Sequence, residues 1–163
     1  MRGPIEETCL LKPFTKIIVA VDGSENSKRA TRIAIGLAEK YHAELVALHV
    51  VPRLTYGFTP TSLTKPAVLP TSYGLAYSEM RKEAEGYVNE VVSSAKPLGV
   101  SARGEVLEDR PSAVEAIIDY SSKEKADLIV TGTRGKSGFT KLLIGSVSSG
   151  IVAHAHCAVL VVR

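Results

Sequence analysis

The sequence predicts a single α/β domain built on a doubly wound, five-stranded parallel sheet with helices on both faces. Five short runs of β-branched and apolar residues recur along the chain, and stretches with helical periodicity separate them. Strands that alternate with helices form parallel sheets with right-handed crossovers. In such sheets a ligand lies beyond the carboxyl ends of the strands, where the strand order reverses.

Size and composition agree with one globular domain. The chain has 163 residues, of which 45% are hydrophobic and 23% charged, and its formal charge is +3. Basic residues form no concentrated stripe, which argues against a dedicated nucleic-acid binder. No apolar run reaches the roughly 18 residues of a membrane span, and Met1–Pro13 lacks the apolar core of a signal peptide. We expect a cytoplasmic protein with an N-terminal arm (residues 1–14) and one folded domain (residues 15–163).

The first strand and helix have clear signals. Lys16–Val21 is predicted as a buried strand, and Asp22 and Gly23 break it before Ser24, the predicted N-cap. Leu45–Val51 is the second strand, closed by a proline. The helix between them places apolar residues at three- and four-residue steps. These residues are Ala30, Ile33, Ala34, Leu37, Ala38 and Tyr41.

The middle of the chain is less regular. Arg53–Gly74 is rich in Thr, Pro and Ser and is predicted as a long surface insertion. A helical period resumes at Tyr77 and ends at Pro97 and Gly99. Val100–Leu107 follows as a half-polar strand, which indicates a position near the sheet edge.

The last third supplies two more strands and two more helices. Pro111 is predicted to open a helix, in whose first turn its missing N–H costs nothing. Leu128–Thr131 and Val159–Val162 are the fourth and fifth strands, and a helix starts near Ser146. The predicted inner faces of the two helices are Val114, Ile117 and Ile118, and Val147, Ile151 and Ala155.

The loop after the fourth strand is the strongest functional signal. Gly132 and Gly135 are separated by two residues, and Gly145–Ser146 follows after nine more. Glycines let main-chain N–H groups approach a phosphate closely, and a helix N-terminus adds unpaired donors. A helix dipole contributes only about 0.3–1 kcal/mol, whereas micromolar affinity requires about 8 kcal/mol. The loop therefore needs several N–H contacts, the hydroxyls of Ser146 and Ser148, and burial of a base.

The pattern Gly132-x2-Gly135-x9-Gly145-Ser146 resembles the ATP-binding signature of the universal stress protein family. Residues 17–24 and 157–163 resemble the two ends of that family's domain, and the resemblance covers nearly all of Lys16–Arg163. Ala158 departs from it, since many relatives have proline there. The resemblance implies a Rossmann-like fold of the adenine-nucleotide α-hydrolase type, with strand order 3-2-1-4-5.

The resemblance also implies a set of ligand-binding residues. Asp22 would contact the adenosine part of ATP, beside Ala20 and Val21, and the backbone of Val50 would bind the adenine edge. Ser148 would touch a terminal phosphate, and Mg2+ or Mn2+ would accompany the phosphates. The complete implied site is Ala20, Val21, Asp22, Val50, Thr131, Gly132, Arg134, Gly135, Gly145, Ser146, Val147 and Ser148.

Several alternatives stay open beside this prediction. Asp22 could cap the following helix, and Lys136 and Arg134 could be solvated loop residues instead of phosphate contacts. A P-loop is excluded, because the position that requires its first glycine is Val130.

The histidines suggest structural roles rather than chemistry. His154, His156 and Cys157 are better explained as a helix end than as a metal site, since residues two apart do not share a helix face. His49 is predicted as a hydrogen-bonded core histidine. The sequence offers no obvious general base for hydrolysis.

Three functions remain possible on these grounds. We favour an ATP-dependent dimeric switch or sensor in the stress response, in which the C-terminal strands Ala158–Val162 pair, as the resemblance implies. A slow Mg-dependent ATPase and a nucleotide-free dimeric interaction module are the alternatives. We expect Gly132→Val and Gly145→Val to abolish ATP binding in a folded dimer, and Ser148→Ala to discriminate ATP from adenosine.

Overall fold

The computed structural model of the protein describes residues 14–53, 71–134 and 144–163. None of the helices in these ranges is long and apolar enough to cross a membrane. The elements in chain order are β1 (Lys16–Ala20), α1 (Glu25–Tyr41), β2 (Glu44–Pro52), α2 (Thr71–Ala95), β3 (Ala102–Arg110), α3 (Ala113–Lys123), β4 (Leu128–Gly132), α4 (Ser146–His154) and β5 (Ala158–Val162), with a 3₁₀ turn, Lys96–Leu98, after α2.

The five strands form one parallel sheet in the order β3-β2-β1-β4-β5, which confirms the predicted fold class and strand order. Ala20, the last residue of β1, pairs with Leu48 of β2 on one side and Thr131 of β4 on the other. The strand order reverses between β1 and β4. Because ligands bind at such switch points, the fold places the candidate site at the carboxyl ends of these two strands.

Each face of the sheet has its own apolar core. Ile17 and Val19 of β1 belong to the core that α1 and α2 cover, together with Ala34 and Val88. Alternate residues of the same strands face the other way, where Ile18 and Ile129 pack with the side chains that α3 and α4 contribute, including Ile117 and Ile151. Burial on both faces explains why the strands are continuous apolar runs.

Element boundaries differ from the sequence prediction at two places. α2 begins at Thr71, inside the predicted insertion; residues 54–70 and the arm up to residue 13 lie outside the described ranges. α3 begins at Ala113, with Ser112 as N-cap accepting the N–H of Glu115. Pro111 therefore precedes the cap and does not occupy the first turn, because a serine side chain beside it caps the helix better.

Three inner-face predictions are wrong. Ile33 and Tyr41 of α1 are 42% and 37% exposed, and Val147 of α4 is 36% exposed. Both helices bury a narrower face than their apolar periodicity suggested, since each packs on one side only. β3 lies at a sheet edge, as its half-polar sequence predicted.

Candidate functional site

A cleft opens at the carboxyl ends of β1, β2 and β4, between α3 and the N-terminus of α4. Every residue of the implied site that the structure describes lines this cleft, whereas Gly135 lies outside the described ranges. The implied residues brought together here are Ala20, Val21, Asp22, Val50, Thr131, Gly132, Arg134, Gly145, Ser146, Val147 and Ser148.

The sequence prediction missed five further lining residues. They are Ser27, Leu48, His49, Ala113 and Ile117. Leu48 and His49 directly precede Val50, so their place at the strand end was a usable signal. Ala113 and Ile117 come from α3, which no sequence motif connects with the glycine-rich loop.

The turn from β1 into α1 is held by three serine and aspartate contacts. The Asp22 carboxylate accepts the Ser24 N–H through Oδ1 at 3.0 Å, and the Ser24 hydroxyl accepts the Ser27 N–H at 3.2 Å as N-cap. The Ser27 hydroxyl accepts the Asp22 N–H at 3.1 Å. Gly23 adopts φ +77°, a conformation that favours glycine. Asp22 thus orders the turn with one oxygen, and its Oδ2 makes no hydrogen bond to any described residue.

Gly132 allows β4 to end against the start of α1. A Cβ at this position would lie 2.9 Å from the main-chain carbon of Asn26 and 3.0 Å from the Ser27 nitrogen. Because these are backbone atoms, they cannot move aside cheaply. The structure therefore contradicts the expectation that Gly132→Val would leave the fold intact.

The N-terminus of α4 borders the cleft with main-chain donors that have no partner among the described residues. Gly145 is its N-cap and provides no side-chain cap. The Gly145 carbonyl accepts the Ser149 N–H at 2.9 Å, which starts the helical hydrogen bonding. The N–H groups of Ser146, Val147 and Ser148 precede that bond and have no partner within the helix. An uncapped first turn of this kind is a potential anion site.

The two serines of this first turn differ in their surroundings. Ser148 is 4% exposed, and its hydroxyl donates to the Gly132 carbonyl at 2.6 Å. Its proton is therefore already committed, and a phosphate would have to displace that bond. Ser146 is exposed beside it. The hydroxyl best placed to donate to an anion is therefore that of Ser146.

The opposite end of the cleft is apolar, and main-chain groups of β2 lie at its rim. The ladder between β1 and β2 finishes with the Val21 N–H donating to the Leu48 carbonyl at 2.9 Å. Beyond it, His49 Nδ1 lies 2.6 Å from the Val21 carbonyl, so His49 is hydrogen-bonded as predicted. The main chain of Val50 follows at the rim.

Charged groups are few in the cleft. Among its described lining residues, Asp22 is the only carboxylate and Arg134 the only cation. No group of three or more His, Cys, Asp or Glu side chains that could hold a metal occurs in the described ranges. His154 Nδ1 lies 2.9 Å from its own helix's Gly150 carbonyl, and burial raises the pKa of the Cys157 thiol.

Comparison with known proteins identifies relatives of this chain by sequence and by fold. The chain is 34% identical over 150 residues to the universal stress protein MJ0531 of Methanocaldococcus jannaschii, covering 92% of this chain and 82% of the relative. It resembles the structure of UspA from Lactobacillus plantarum (TM-score 0.66, 29% identity, 92% and 98% of the two chains). It also shares its fold with a universal stress protein from Archaeoglobus fulgidus, solved in complex with dAMP (TM-score 0.65, 21% identity, 93% and 99%).

The family assignment rests on nearly the whole domain. The profile of the Universal stress protein family matches residues 13–163, which include all five strands and the cleft. On this match and the MJ0531 identity, the chain belongs to the universal stress protein family.

Proposed function

We propose that the cleft binds an adenine nucleotide, with ATP as the ligand, and that the bound nucleotide switches what a dimer of this protein can bind. One observation carries the proposal: three N–H groups at the start of α4, without partners among the described residues, border one end of a cleft whose other end is apolar. Phosphates suit the first end and a base suits the second.

The apolar end offers a way to select adenine. Val50 contributes a main-chain N–H and C=O at the rim, beside Ala20 and Leu48. The Watson–Crick edge of adenine has one acceptor and one amino donor, which match this pair. Guanine presents the opposite order of groups there, so it would leave both main-chain groups unpaired, which is costly. The Oδ2 of Asp22, which accepts no hydrogen bond from a described residue, is available to accept from a ribose hydroxyl.

The phosphate end combines main-chain and side-chain donors. The Ser146 hydroxyl and the first-turn N–H groups would hold the phosphates, and Arg134 would supply positive charge. Ser148 would position this turn through its bond to Gly132. Since Asp22 is the only described carboxylate lining the cleft, Mg2+ or Mn2+ would be held chiefly by the phosphates.

The dimer is proposed on the edge strand. β5 lies at the sheet edge with Ala158 exposed and the next three residues half-buried, and Val152 of the adjoining α4 is 53% exposed. An apolar edge of this kind pairs readily with another strand. The Archaeoglobus protein bound to dAMP supports an adenine nucleotide as ligand on this fold.

The first test is to denature freshly purified protein, identify any released nucleotide by mass spectrometry, and titrate the stripped protein with ATP, AMP and GTP by calorimetry. Released ATP, or micromolar ATP binding without GTP binding, is expected. Light scattering with and without ATP then measures the dimer. Absence of both released nucleotide and heat would overturn the proposal.

A matched pair of variants tests the phosphate end. Val147→Asp places a negative charge in the first turn of α4. This charge interacts favourably with the helix dipole but repels phosphate. ATP affinity should fall at least about 10-fold, or about 1.4 kcal/mol, without loss of stability. Ala153→Asp puts the same charge on an exposed position of the same helix and should bind ATP normally. Equal affinities in the two variants would exclude this orientation of the ligand.

A further inference from the structure

A second cavity adjoins the apolar end of the cleft, on the α2 side of the sheet. Its volume is about 240 Å³. Asp22, His49 and Val50 line both cavities, so they form the rim between them. The described residues that line the second cavity but not the cleft are Val51, Pro52, Met80, Glu83 and Tyr87. We refer to it as the α2 chamber.

The walls of the α2 chamber are largely apolar and aromatic. The ring centroids of His49 and Tyr87 lie 5.5 Å apart at 55°. The Tyr87 hydroxyl donates to the Glu83 carboxylate at 3.1 Å, and this bond fixes the polar end of the tyrosine side chain. Met80 adds a flexible, half-buried thioether, a side chain that adapts to varied apolar shapes. Such a surface suits a planar or branched hydrocarbon group.

The position of the rim connects the chamber with the base of the proposed nucleotide. If the phosphates lie at α4, the amino group of adenine donates to the Val50 carbonyl. Val50 is one of the residues at the rim that the two cavities share. An amino group with one substituent keeps one N–H for Val50, and its substituent can then extend beyond the rim toward Val51 and Pro52.

We propose that the protein accepts adenine nucleotides whose exocyclic amino group carries an aliphatic or aromatic substituent, with that substituent in the α2 chamber. The inference rests on the proposed nucleotide function. The size of the chamber supports it, because an apolar cavity of about 150 Å³ already accommodates benzene and this one measures about 240 Å³.

Calorimetry with N6-benzyl-ATP and ATP tests the inference. The affinity of the wild-type protein for N6-benzyl-ATP should be no more than about 3-fold weaker than its affinity for ATP. Met80→Trp fills the chamber and should weaken N6-benzyl-ATP at least about 10-fold while changing ATP affinity less than about 2-fold. Lys82→Trp, on an exposed position of the same helix, is the control and should bind both ligands as wild type does.

The outcomes separate the two proposals. Wild-type protein that binds ATP but rejects N6-benzyl-ATP would overturn the α2 chamber and leave the nucleotide site standing. Failure to bind either ligand would overturn the nucleotide site itself. If Met80→Trp binds both ligands like wild type, the substituent lies elsewhere and the inference is wrong. ATP binding and thermal melting show whether Met80→Trp folds. If it does not, Met80→Phe fills less of the chamber and should weaken N6-benzyl-ATP binding by a smaller factor, again without weakening ATP binding.

Discussion

The two ends of the parallel sheet differ in how their polar groups are paired. At the amino end, charged side chains from three strands and the C-cap of α3 are joined in one network, consisting of Lys16, Glu44, Arg103, Glu105 and Glu124. At the carboxyl end, main-chain donors and a carboxylate oxygen are left without partners among the described residues. The network pairs its charged groups with one another, whereas the cleft leaves polar groups available to a ligand.

The amino-end network is centred on Arg103. Its guanidinium contacts Glu44 at 2.8 Å and both Glu105 and Glu124 at 2.6 Å, while Lys16 contacts Glu124 at 2.8 Å. The hydrogen bond from Arg103 lowers the pKa of Glu44, and the one from Lys16 lowers the pKa of Glu124. Charges satisfied in this way favour one arrangement of the strand starts.

The cleft at the carboxyl ends of β1 and β4 has no comparable network within the described residues; the ion pairs Arg53–Asp109 and Arg81–Glu108 lie elsewhere along that edge, beside the ends of β2 and β3. Its turns are held by short serine contacts, so the first turn of α4 and Asp22 Oδ2 stay open to a ligand. Mutations in the amino-end network should therefore change stability without changing binding, whereas mutations in the cleft should change binding, and stability as well where they disturb a packing or turn contact. The following predictions test that separation.

The largest effect is expected where the carboxyl end meets α1. Gly132→Val would bring a side chain into the backbone of Asn26, so we expect a loss of about 3 kcal/mol in unfolding free energy together with loss of ATP binding. Urea denaturation and calorimetry measure both. Gly86→Val is the control, because nothing lies within 4 Å of a Cβ there. A Gly132→Val protein of normal stability would contradict the contact.

Arg103→Met should affect stability without affecting ligand binding. It leaves three carboxylates near one lysine in a half-buried setting, for which we expect a loss of about 2 kcal/mol, between the values for exposed and buried pairs. ATP affinity should not change. Arg103→Lys should restore only part of the stability, because lysine lacks the planar fork. A weakened ATP affinity in Arg103→Met would show that the two ends are coupled.

The same network predicts a pH dependence. Because the pKa values of Glu44 and Glu124 are lowered in the folded protein, their stabilisation is present above the ordinary glutamate pKa and is lost as pH falls through the lowered values. Unfolding free energy from urea melts should therefore decline as the pH falls below the ordinary glutamate pKa of 4.5. Arg103→Met should decline less, and parallel curves for the two proteins would count against the network.

Asp22 separates the two roles of one carboxylate. Asp22→Asn keeps an acceptor for the Ser24 N–H but removes the charge and the free oxygen. Nucleotide affinity should fall about 10-fold, or about 1.4 kcal/mol, with unchanged melting temperature. Asp22→Ala also loses the turn contact and should cost about 1 kcal/mol of stability. Normal affinity in Asp22→Asn would limit Asp22 to ordering the turn.

The smallest effects distinguish the serines of α4. Ser148→Ala removes a buried hydrogen bond and should cost about 1 kcal/mol of stability, with similar small losses for ATP and adenosine. Ser146→Ala should leave stability unchanged and weaken ATP a few-fold but not adenosine. Thermal melts and calorimetry with both ligands decide. The reverse pattern would return the phosphate contact to Ser148, as the sequence first suggested.

The sequence was sufficient for the fold because both faces of the sheet are buried. β1, β2, β4 and β5 therefore appear as apolar runs, and the half-polar β3 indicated its edge position. The geometry that brings the implied residues into one cleft follows from the parallel order, which places all carboxyl strand ends together. Asp22 and Gly132 could thus be placed beside each other without knowing a side-chain contact.

Other features depend on tertiary contacts that leave no local signal. Lys16 and Glu124 are 108 positions apart, and no periodicity connects them. The role of Gly132 as a spacer for α1 cannot be distinguished from phosphate approach in a glycine-rich sequence. The start of α2 at Thr71 was missed because Thr, Ser and Gly have poor helix propensity.

The pairing of β1 with β4 also bears on when the protein becomes able to bind. The two strands are joined residue by residue from Ile17–Leu128 to Ala20–Thr131, although more than half the chain separates them. Closing a loop of this length is entropically costly, and such non-local contacts slow folding. The cleft exists only once that closure is complete, so a nucleotide meets no partial site in an unfinished chain. Bound ligand should accordingly lengthen the lifetime of the folded protein and leave its rate of formation unchanged.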